Sequence, residues 1–150
     1  ASYTDDEVFY LFYGKSYNPN SEQKSKYIKM RGRKVYEFAL TNVPAAMKEC
    51  LDMADTDISE IKKILIHQAN AKMDDAIVKR LYKLFNQEAP EKVMPLTVDR
   101  FGNSSVATVP TMFDLIVKNK LDDHSIKKGD KIIFASVGAG MHINAMVYQY

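Results

Sequence analysis

The sequence has few cysteines, no long apolar run and little net charge. Cys50 is its one cysteine, so no internal disulfide can form, and a reducing, cytoplasmic compartment is the simplest expectation. No apolar run approaches the roughly 20 residues that cross a bilayer. The net charge of +2 is too small to argue for nucleic acid as a partner. We therefore predict neither a membrane nor a nucleic-acid partner.

What is present indicates an ordinary globular chain. Of its 150 residues, 46% are hydrophobic and 27% are charged, which is typical of a single folded domain. The opening, ASYTDDEVFY, has neither an initiator Met nor a basic leader. This suggests a processed N-terminus, so we expect residues 1–150 to be one domain of a longer protein.

Hydrophobic patterns divide the chain into alternating strands and helices. Strands are expected at residues 8–13, 27–30, 64–66, 93–96, 131–137 and 143–148, the first of them buried on both faces. A helical stripe runs from Val35 to Ala54, and further helices follow Asn70 and Ser104 or Ser105, which can cap them. The pattern predicts an α/β fold with a mixed β-sheet and an antiparallel pair at its end.

Smaller features refine this prediction. Asp57 and Glu60 have the spacing of a capping pair for a short helix. The long helical stripe contains Pro44, where a bend is expected. The helix after Asn70 is expected to have one face packed against the core of the domain. That face comprises Met73, Ile77, the aliphatic stem of Arg80, Leu81 and Leu84.

Three stretches lie where a strand ends or a helix begins: IHQAN (66–70), RFGNSSVATVP (100–110) and SVGAGMH (136–142). In α/β folds, ligands bind at the carboxyl ends of strands and beside helix N-termini. We therefore take the candidate functional residues from these three stretches.

His67 is the candidate functional group of the first stretch. Taken alone, a histidine satisfied by a backbone carbonyl at a strand end is the commoner case. The helix that starts near Asn70 would place a partial positive charge beside the ring and favour the neutral imidazole. A neutral imidazole can donate one N–H to a developing oxyanion.

Asn103 follows a glycine in the second stretch. It is either a turn residue stabilised by its own side chain or a second neutral donor aimed at the same oxygen as His67. Two neutral donors suit an enolate or thioester oxyanion, because they stabilise charge without supplying a proton that quenches a carbanion.

The third stretch contains Gly138-Ala139-Gly140. It is not a dinucleotide fingerprint, because it lacks the third glycine and leads into a strand. A backbone loop that presents N–H groups at close approach fits better, and a simple tight turn is the alternative.

The remaining chemistry-bearing residues have ordinary explanations. Cys50 lies mid-helix without a basic neighbour and is expected to be a buried structural thiol. His124, beside Asp122 and Asp123, is expected at the surface, and His142 could face either the site or the core. We predict no metal site and no cofactor. The basic side of the helix after Asn70 is either a solvated face or a surface for an acidic partner; it comprises Lys72, Lys79, Arg80 and Lys83.

Together the three stretches resemble the 3-oxoacyl-[acyl-carrier-protein] synthase III family of thiolase-fold condensing enzymes. HQAN, GNSS before a helix, and GD-K-x(5)-VGAG occur in the family's order, from about Tyr27 onwards. The resemblance covers only the family's second half. It implies a thiolase-like half with a mixed β-sheet and helices on both faces, the N-terminal half being absent.

The resemblance also implies a reaction. His67 and Asn103 would bind the thioester oxygen of malonyl-acyl-carrier protein and stabilise the enolate that forms as carbon dioxide leaves. The enolate then attacks an acyl group, derived from acyl-CoA, on a cysteine of the first half. Cys50 does not match that cysteine, so this chain should be inactive alone. The full-length protein is expected to be a homodimer.

Further matched positions are expected to bind substrate. Asn70 would help order the substrate arm, Lys72 would contact the donor or carrier protein, and Val137 would border the acyl pocket. The backbone N–H of Ala139, between Gly138 and Gly140, would complete the oxyanion hole. The alternatives are a non-catalytic half that binds a carrier protein or partner subunit, and a related condensing enzyme of secondary metabolism.

Overall fold

A computed structural model describes residues 9–22, 24–121 and 123–150. Its elements are, in order, β1 (Leu11–Gly14), β2 (Tyr27–Met30), α1 (Gly32–Met53), β3 (Ile61–Ile66), α2 (Ala71–Lys83), α3 (Val98–Phe101), α4 (Thr108–Val117), β4 (Lys131–Gly138) and β5 (His142–Gln149). No helix in these ranges is long and apolar enough to span a bilayer.

The main sheet has three strands in the order β3-β4-β5. β3 pairs with β4 in parallel, so that Ile64 lies beside Ile133, and β4 pairs with β5 in antiparallel. A single helical turn, Ala139–Met141, joins the antiparallel pair. The predicted mixed sheet and its terminal antiparallel pair are confirmed.

Helices cover both faces of this sheet. Along β3, Ile64 and Ile66 belong to the buried cluster that includes α1 and α2, whereas Leu65 belongs to the cluster of α4. This alternation is the two-residue period of a strand. Burial of each such side chain contributes about 1.5–3 kcal/mol. The arrangement of helices on both faces is as predicted.

The first predicted strand is placed wrongly. Val8 lies outside the described residues, and the strand begins only at Leu11, pairing with β2 in a separate two-stranded sheet. Tyr13 is 70% exposed and Phe12 is 38% exposed, so this strand is not buried on both faces. In this two-stranded sheet the aromatic side chains of β1 pack against side chains of the neighbouring strand and not in the interior of a larger sheet.

The capping predictions are confirmed at two places and wrong at a third. Asp57 and Glu60 form a reciprocal capping box around a short 3₁₀ turn. Asn70 Oδ1 accepts hydrogen bonds from the backbone N–H groups of Lys72 (3.0 Å) and Met73 (3.4 Å) at the start of α2. Neither Ser104 nor Ser105 caps α4, because a 3₁₀ turn over Ser105–Ala107 precedes that helix.

Two further predictions are corrected. The predicted core residues Ile77 and Leu81 of α2 are buried, and Met73 packs against them, but Arg80 and Leu84 are exposed. The buried face of the helix also includes Asp74, Val78 and Tyr82. The predicted strand at 93–96 is irregular, although the carbonyl of Val93 accepts from the N–H of Ile64 at 2.9 Å. Pro95 has no N–H to donate, so this segment cannot extend the sheet by a regular ladder.

Candidate functional site

An open cavity of about 860 Å³ lies at the carboxyl ends of β3 and β4. Because the two strands are parallel, the residue after β3 and the last residues of β4 meet at one edge of the sheet. The N–H of His67 donates to the carbonyl of Ala135 at 2.9 Å, which fixes the start of the segment after β3. His67, Asn103, Val137 and Gly138 all line this cavity.

The rest of the lining is largely apolar. It is supplied by β1 and β2, by α1 and α2, and by β4 and β5. It includes Leu11, Met30, Val35, Ile77 and Met146. An apolar cavity with a few convergent polar groups is the usual form of a small-molecule site. This cavity suits a substrate with an apolar chain and one polar reacting group.

His67 contacts the backbone of the second stretch. Its Nδ1 lies 3.3 Å from the carbonyl oxygen of Ser105. A carbonyl can only accept, so this hydrogen bond requires the proton on Nδ1. Nε2 makes no hydrogen bond within the described part of the chain. Nδ1 of the ring is therefore held by a hydrogen bond, and Nε2 can bind a ligand in the cavity.

Asn103 is held by the turn around it. Gly102 before it has φ +63° and ψ −161°, a conformation that is open essentially to glycine alone. The Oδ1 of Asn103 accepts from the N–H of Ser105 at 2.9 Å. This is the turn contact that the sequence suggested as one alternative. It occupies the amide oxygen and leaves the amide N–H₂ without a partner in the described ranges.

Gln68 is a positioning residue that the sequence prediction missed. It is fully buried, and its Oε1 accepts from the N–H groups of Thr97 (2.8 Å) and Val98 (3.1 Å). Its Nε2 donates to the carbonyl of Pro95 at 2.6 Å. Thr97 is the N-cap residue of α3, but its side chain makes no capping hydrogen bond. The side chain of Gln68 instead accepts from N–H groups at the start of that helix, which would otherwise lack an acceptor. Gln68 thereby connects the end of β3 to the segment that leads into Asn103.

Replacing Gln68 with Leu is expected to destabilise the protein by about 3 kcal/mol, because each buried donor left without an acceptor costs roughly 1–3 kcal/mol. Urea unfolding measures the loss. Gln149→Leu is the matched control, since Gln149 is exposed and its amide reaches the Gly129 carbonyl only at 3.4 Å. Equal stability of the two variants would contradict the role of Gln68.

Other predicted site residues lie at the edge of the cavity or beside it. Asn70 and Lys72 are exposed, and within the described part of the chain neither lines the cavity. Gly140 has φ +73°, and a Cβ there would lie 3.1 Å from the ring of His142. This position therefore favours glycine for its conformation, and a side chain there would also make the exposed His142 ring shift by a few tenths of an ångström. Ala139 begins the turn between Gly138 and Gly140.

The two remaining histidines differ from each other. His142 is exposed at the start of β5, so the alternative that it faces the core is excluded. His124 is half-buried, with Nδ1 3.0 Å from the Nζ of Lys63, so the expectation of a simple surface residue is wrong. Burial lowers the pKa of His124, and the charge of Lys63 lowers it further. Lys63 also donates to the carbonyl of Lys92 at 2.7 Å, which ties three segments together.

The cysteine and the basic side of α2 fit their ordinary explanations. Cys50 is a free thiol on α1, but it is half-buried and not fully buried as expected. The four basic residues of α2 are all exposed, and Lys79 pairs with Asp75 at 2.7 Å. These features agree with a solvated face and leave the predicted acidic partner as an open proposal.

Asp74 does not belong to the solvated face of α2, although the charge pattern of the helix suggests that it does. It is fully buried on α2, and neither carboxylate oxygen has a hydrogen-bond partner in the described part of the chain. Burial raises its pKa from the ordinary 3.8 to about 7, while the nearby backbone N–H of Asn70 opposes part of that rise without completing a hydrogen bond. The carboxyl group is thus poised to change charge near neutral pH.

Comparison with known proteins gives a consistent result. Residues 51–150 match the family model described as 3-oxoacyl-[acyl-carrier-protein (ACP)] synthase III C terminal. The chain is 36% identical over 132 residues to the β-ketoacyl-[acyl-carrier-protein] synthase III of Erythrobacter litoralis, covering 88% of this chain and 38% of the relative. It is 32% identical over 146 residues to the protein of that name from Lactobacillus helveticus, covering 94% and 42%.

The solved structures agree with the sequence relatives. The β-ketoacyl-[acyl-carrier-protein] synthase III of Thermus thermophilus superposes with a TM-score of 0.78 at 25% identity, covering 100% of this chain and 44% of that one. The chain thus spans about two fifths of the length of the curated relatives it matches. The family model, the relatives and the fold agree with the predicted resemblance, and the chain belongs to the 3-oxoacyl-[acyl-carrier-protein] synthase III family, whose C-terminal part it matches.

Proposed function

We propose that the chain is the C-terminal domain of a 3-oxoacyl-[acyl-carrier-protein] synthase III that condenses an acyl-CoA primer with malonyl-acyl-carrier protein in fatty acid biosynthesis. One observation carries the proposal: His67 and Asn103 line one cavity at the carboxyl ends of two parallel strands. They do so in a chain whose residues 51–150 match that family.

In the proposed reaction, the carbon–carbon bond to the malonyl carboxylate breaks and carbon dioxide leaves. The bonding electron pair moves into an enolate whose oxygen is bound by the amide N–H₂ of Asn103 and, when its ring carries a second proton, by Nε2–H of His67. The enolate carbon attacks an acyl thioester, and the cysteine thiolate is released. Preorganised donors at a developing oxyanion supply the main stabilisation in such steps. Val137 and Gly138 would border the acyl chain, and the N–H of Ala139 would bind the second oxyanion.

The proposal assigns the nucleophilic cysteine to a part of the protein outside this chain, so the chain alone should be inactive. The surface of the cavity supports a covering partner. Val106, Met30 and Met146 all line the cavity and are 89%, 56% and 53% exposed. An exposed apolar patch of this kind usually marks an interface. The proposal includes a cytoplasmic homodimer when the protein is complete.

The carrier protein is proposed to approach beside α2. Asn70 and Lys72 lie at the N-terminus of that helix, next to the segment that carries His67. Lys72 would contact the phosphopantetheine arm or the carrier protein by charge, and Asn70 would order the arm with its amide N–H₂ while its Oδ1 caps the helix.

The test uses the complete protein that carries this chain. We expect label from an acyl-CoA primer to remain on the protein, carbon dioxide to be released from malonyl-acyl-carrier protein, and 3-oxoacyl-carrier protein to form. Binding of the carrier protein without release of carbon dioxide would favour the non-catalytic alternative. Condensation with other extender units only would favour secondary metabolism.

A further inference from the structure

One residue between the two proposed oxyanion donors contacts both of them through its backbone. The N–H of Ser105 donates to Oδ1 of Asn103 at 2.9 Å, and its carbonyl accepts from Nδ1 of His67 at 3.3 Å. Both bonds come from the main chain of a single residue. The Ser105 hydroxyl takes part in neither.

The backbone of Ser105 is unusual. Its φ is +55°, in the left-handed region that residues with a side chain rarely adopt. Because φ and ψ set the directions of N–H and C=O, a residue in the ordinary helical or extended region would point these groups elsewhere. A strained conformation at a cavity wall suggests a functional constraint, and here it accompanies two specific contacts.

We propose that Ser105 is a positioning residue: its left-handed backbone orients the Asn103 amide and the His67 imidazole as one unit. The inference rests on the proposed function and deepens it. With its oxygen bound to Ser105, the Asn103 amide directs N–H₂ away from the turn as a donor. With Nδ1–H bound to Ser105, His67 has a fixed tautomer and a fixed ring orientation.

The tautomer has a chemical consequence. A neutral His67 with its proton on Nδ1 presents a lone pair at Nε2, and it can donate from Nε2 only after it gains a second proton. This differs from the sequence-based expectation of two neutral donors. Asn103 is then the donor that is always available, whereas His67 accepts when neutral and donates when protonated.

The experiment follows the two ring nitrogens of His67 by NMR in the complete protein with isotope-labelled histidine, assigned by loss of its signals in His67→Gln. We expect the neutral ring to carry its proton on Nδ1. Ser105→Gly keeps the peptide and tolerates positive φ, and Ser105→Ala removes only the hydroxyl, so both should retain this tautomer. Ser105→Val should shift it towards Nε2–H, because a β-branched residue resists positive φ.

A second measurement separates positioning from mere stability. Release of carbon dioxide from malonyl-acyl-carrier protein should fall about a hundredfold in Ser105→Val, as expected when reacting groups are misplaced by about 1 Å. It should stay within a few-fold of the wild type in Ser105→Gly. If Ser105→Val fails to fold, the wild-type tautomer and the Ser105→Gly result decide the question.

Two results would overturn the proposal: a wild-type His67 that carries its proton on Nε2, or a folded Ser105→Val that keeps both the tautomer and the rate. The first result does not depend on the proposed function, because the tautomer is read without turnover, and the tautomer of Ser105→Val is read in the same way. Conversely, a protein that holds Nδ1–H but releases no carbon dioxide contradicts the condensing activity and leaves the positioning role supported.

Discussion

Replacing Asn103 with Ala is expected to lower malonyl decarboxylation by a factor of about 100–1,000, which is the usual effect of removing one oxyanion donor. Acylation of the cysteine should persist, because that step is proposed to use the backbone N–H of Ala139 and not the side chain of Asn103. The measurement is paired: acyl label retained on the complete protein, and carbon dioxide released from malonyl-acyl-carrier protein.

Two variants make this test specific. Asn103→Asp keeps an oxygen for the N–H of Ser105 but has no N–H₂, so it should lose decarboxylation while the turn is preserved. Asn18→Ala is the matched control. The Oδ1 of Asn18 accepts from the N–H of Asn20 at 3.0 Å, which is the same kind of turn at a site away from the cavity. This variant should retain both activities.

The opposite outcome is equally informative. If Asn103→Ala loses acylation and keeps decarboxylation, the assigned roles are reversed and the mechanism is wrong. If Asn103→Asp keeps full decarboxylation, the side chain acts through the Ser105 turn and not as a donor. In that case the positioning role of Ser105 would stand, but the oxyanion would need another donor.

Much of the fold could be predicted from local patterns. β2 and the final pair β4–β5 lie close to their predicted ranges, and the caps at Asp57 and Asn70 were recognised from the residue types that satisfy free N–H groups. These features depend on a few neighbouring residues, which the sequence shows directly. The prediction from the aromatic run before Gly14 was wrong, because the same run of aromatic residues suits a central strand and a strand of a two-stranded sheet.

The candidate site was predicted by residue type but not by the contacts that orient it. His67 and Asn103 stood out because titratable and amide side chains at strand ends and turns are recognisable in sequence. Gln68 and Ser105 did not, because their roles depend on partners about 30 residues away, or on a backbone angle that no residue type reports. The buried face of α2 was predicted only in part, at Ile77 and Leu81, for a related reason: packing against α1 decides which side of the helix is buried.

Asp74→Asn is expected to stabilise the protein by about 2–4 kcal/mol at pH 8, by somewhat over a third of that near pH 5, and by little below about pH 4. The folded state holds the Asp74 proton up to a pKa of about 7, whereas the ordinary value is 3.8. Between these values the folded state binds more protons than the unfolded state, so the free energy of unfolding falls as pH rises. The rise in pKa corresponds to about 4 kcal/mol above pH 7, where the buried carboxylate is charged and unpaired.

Urea unfolding at several pH values between about 5 and 8 measures this effect as the difference between Asp74→Asn and the wild type. The difference isolates Asp74, because the lowered pKa of His124 makes stability rise with pH in both proteins alike. Asp75→Asn is the matched control on the same helix turn: Asp75 is exposed and paired with Lys79, so its loss should cost less than about 1 kcal/mol at every pH. Since the protonated acid and the amide are similar in size and charge, a pH-independent gain in Asp74→Asn would show that the carboxyl group does not titrate in this range.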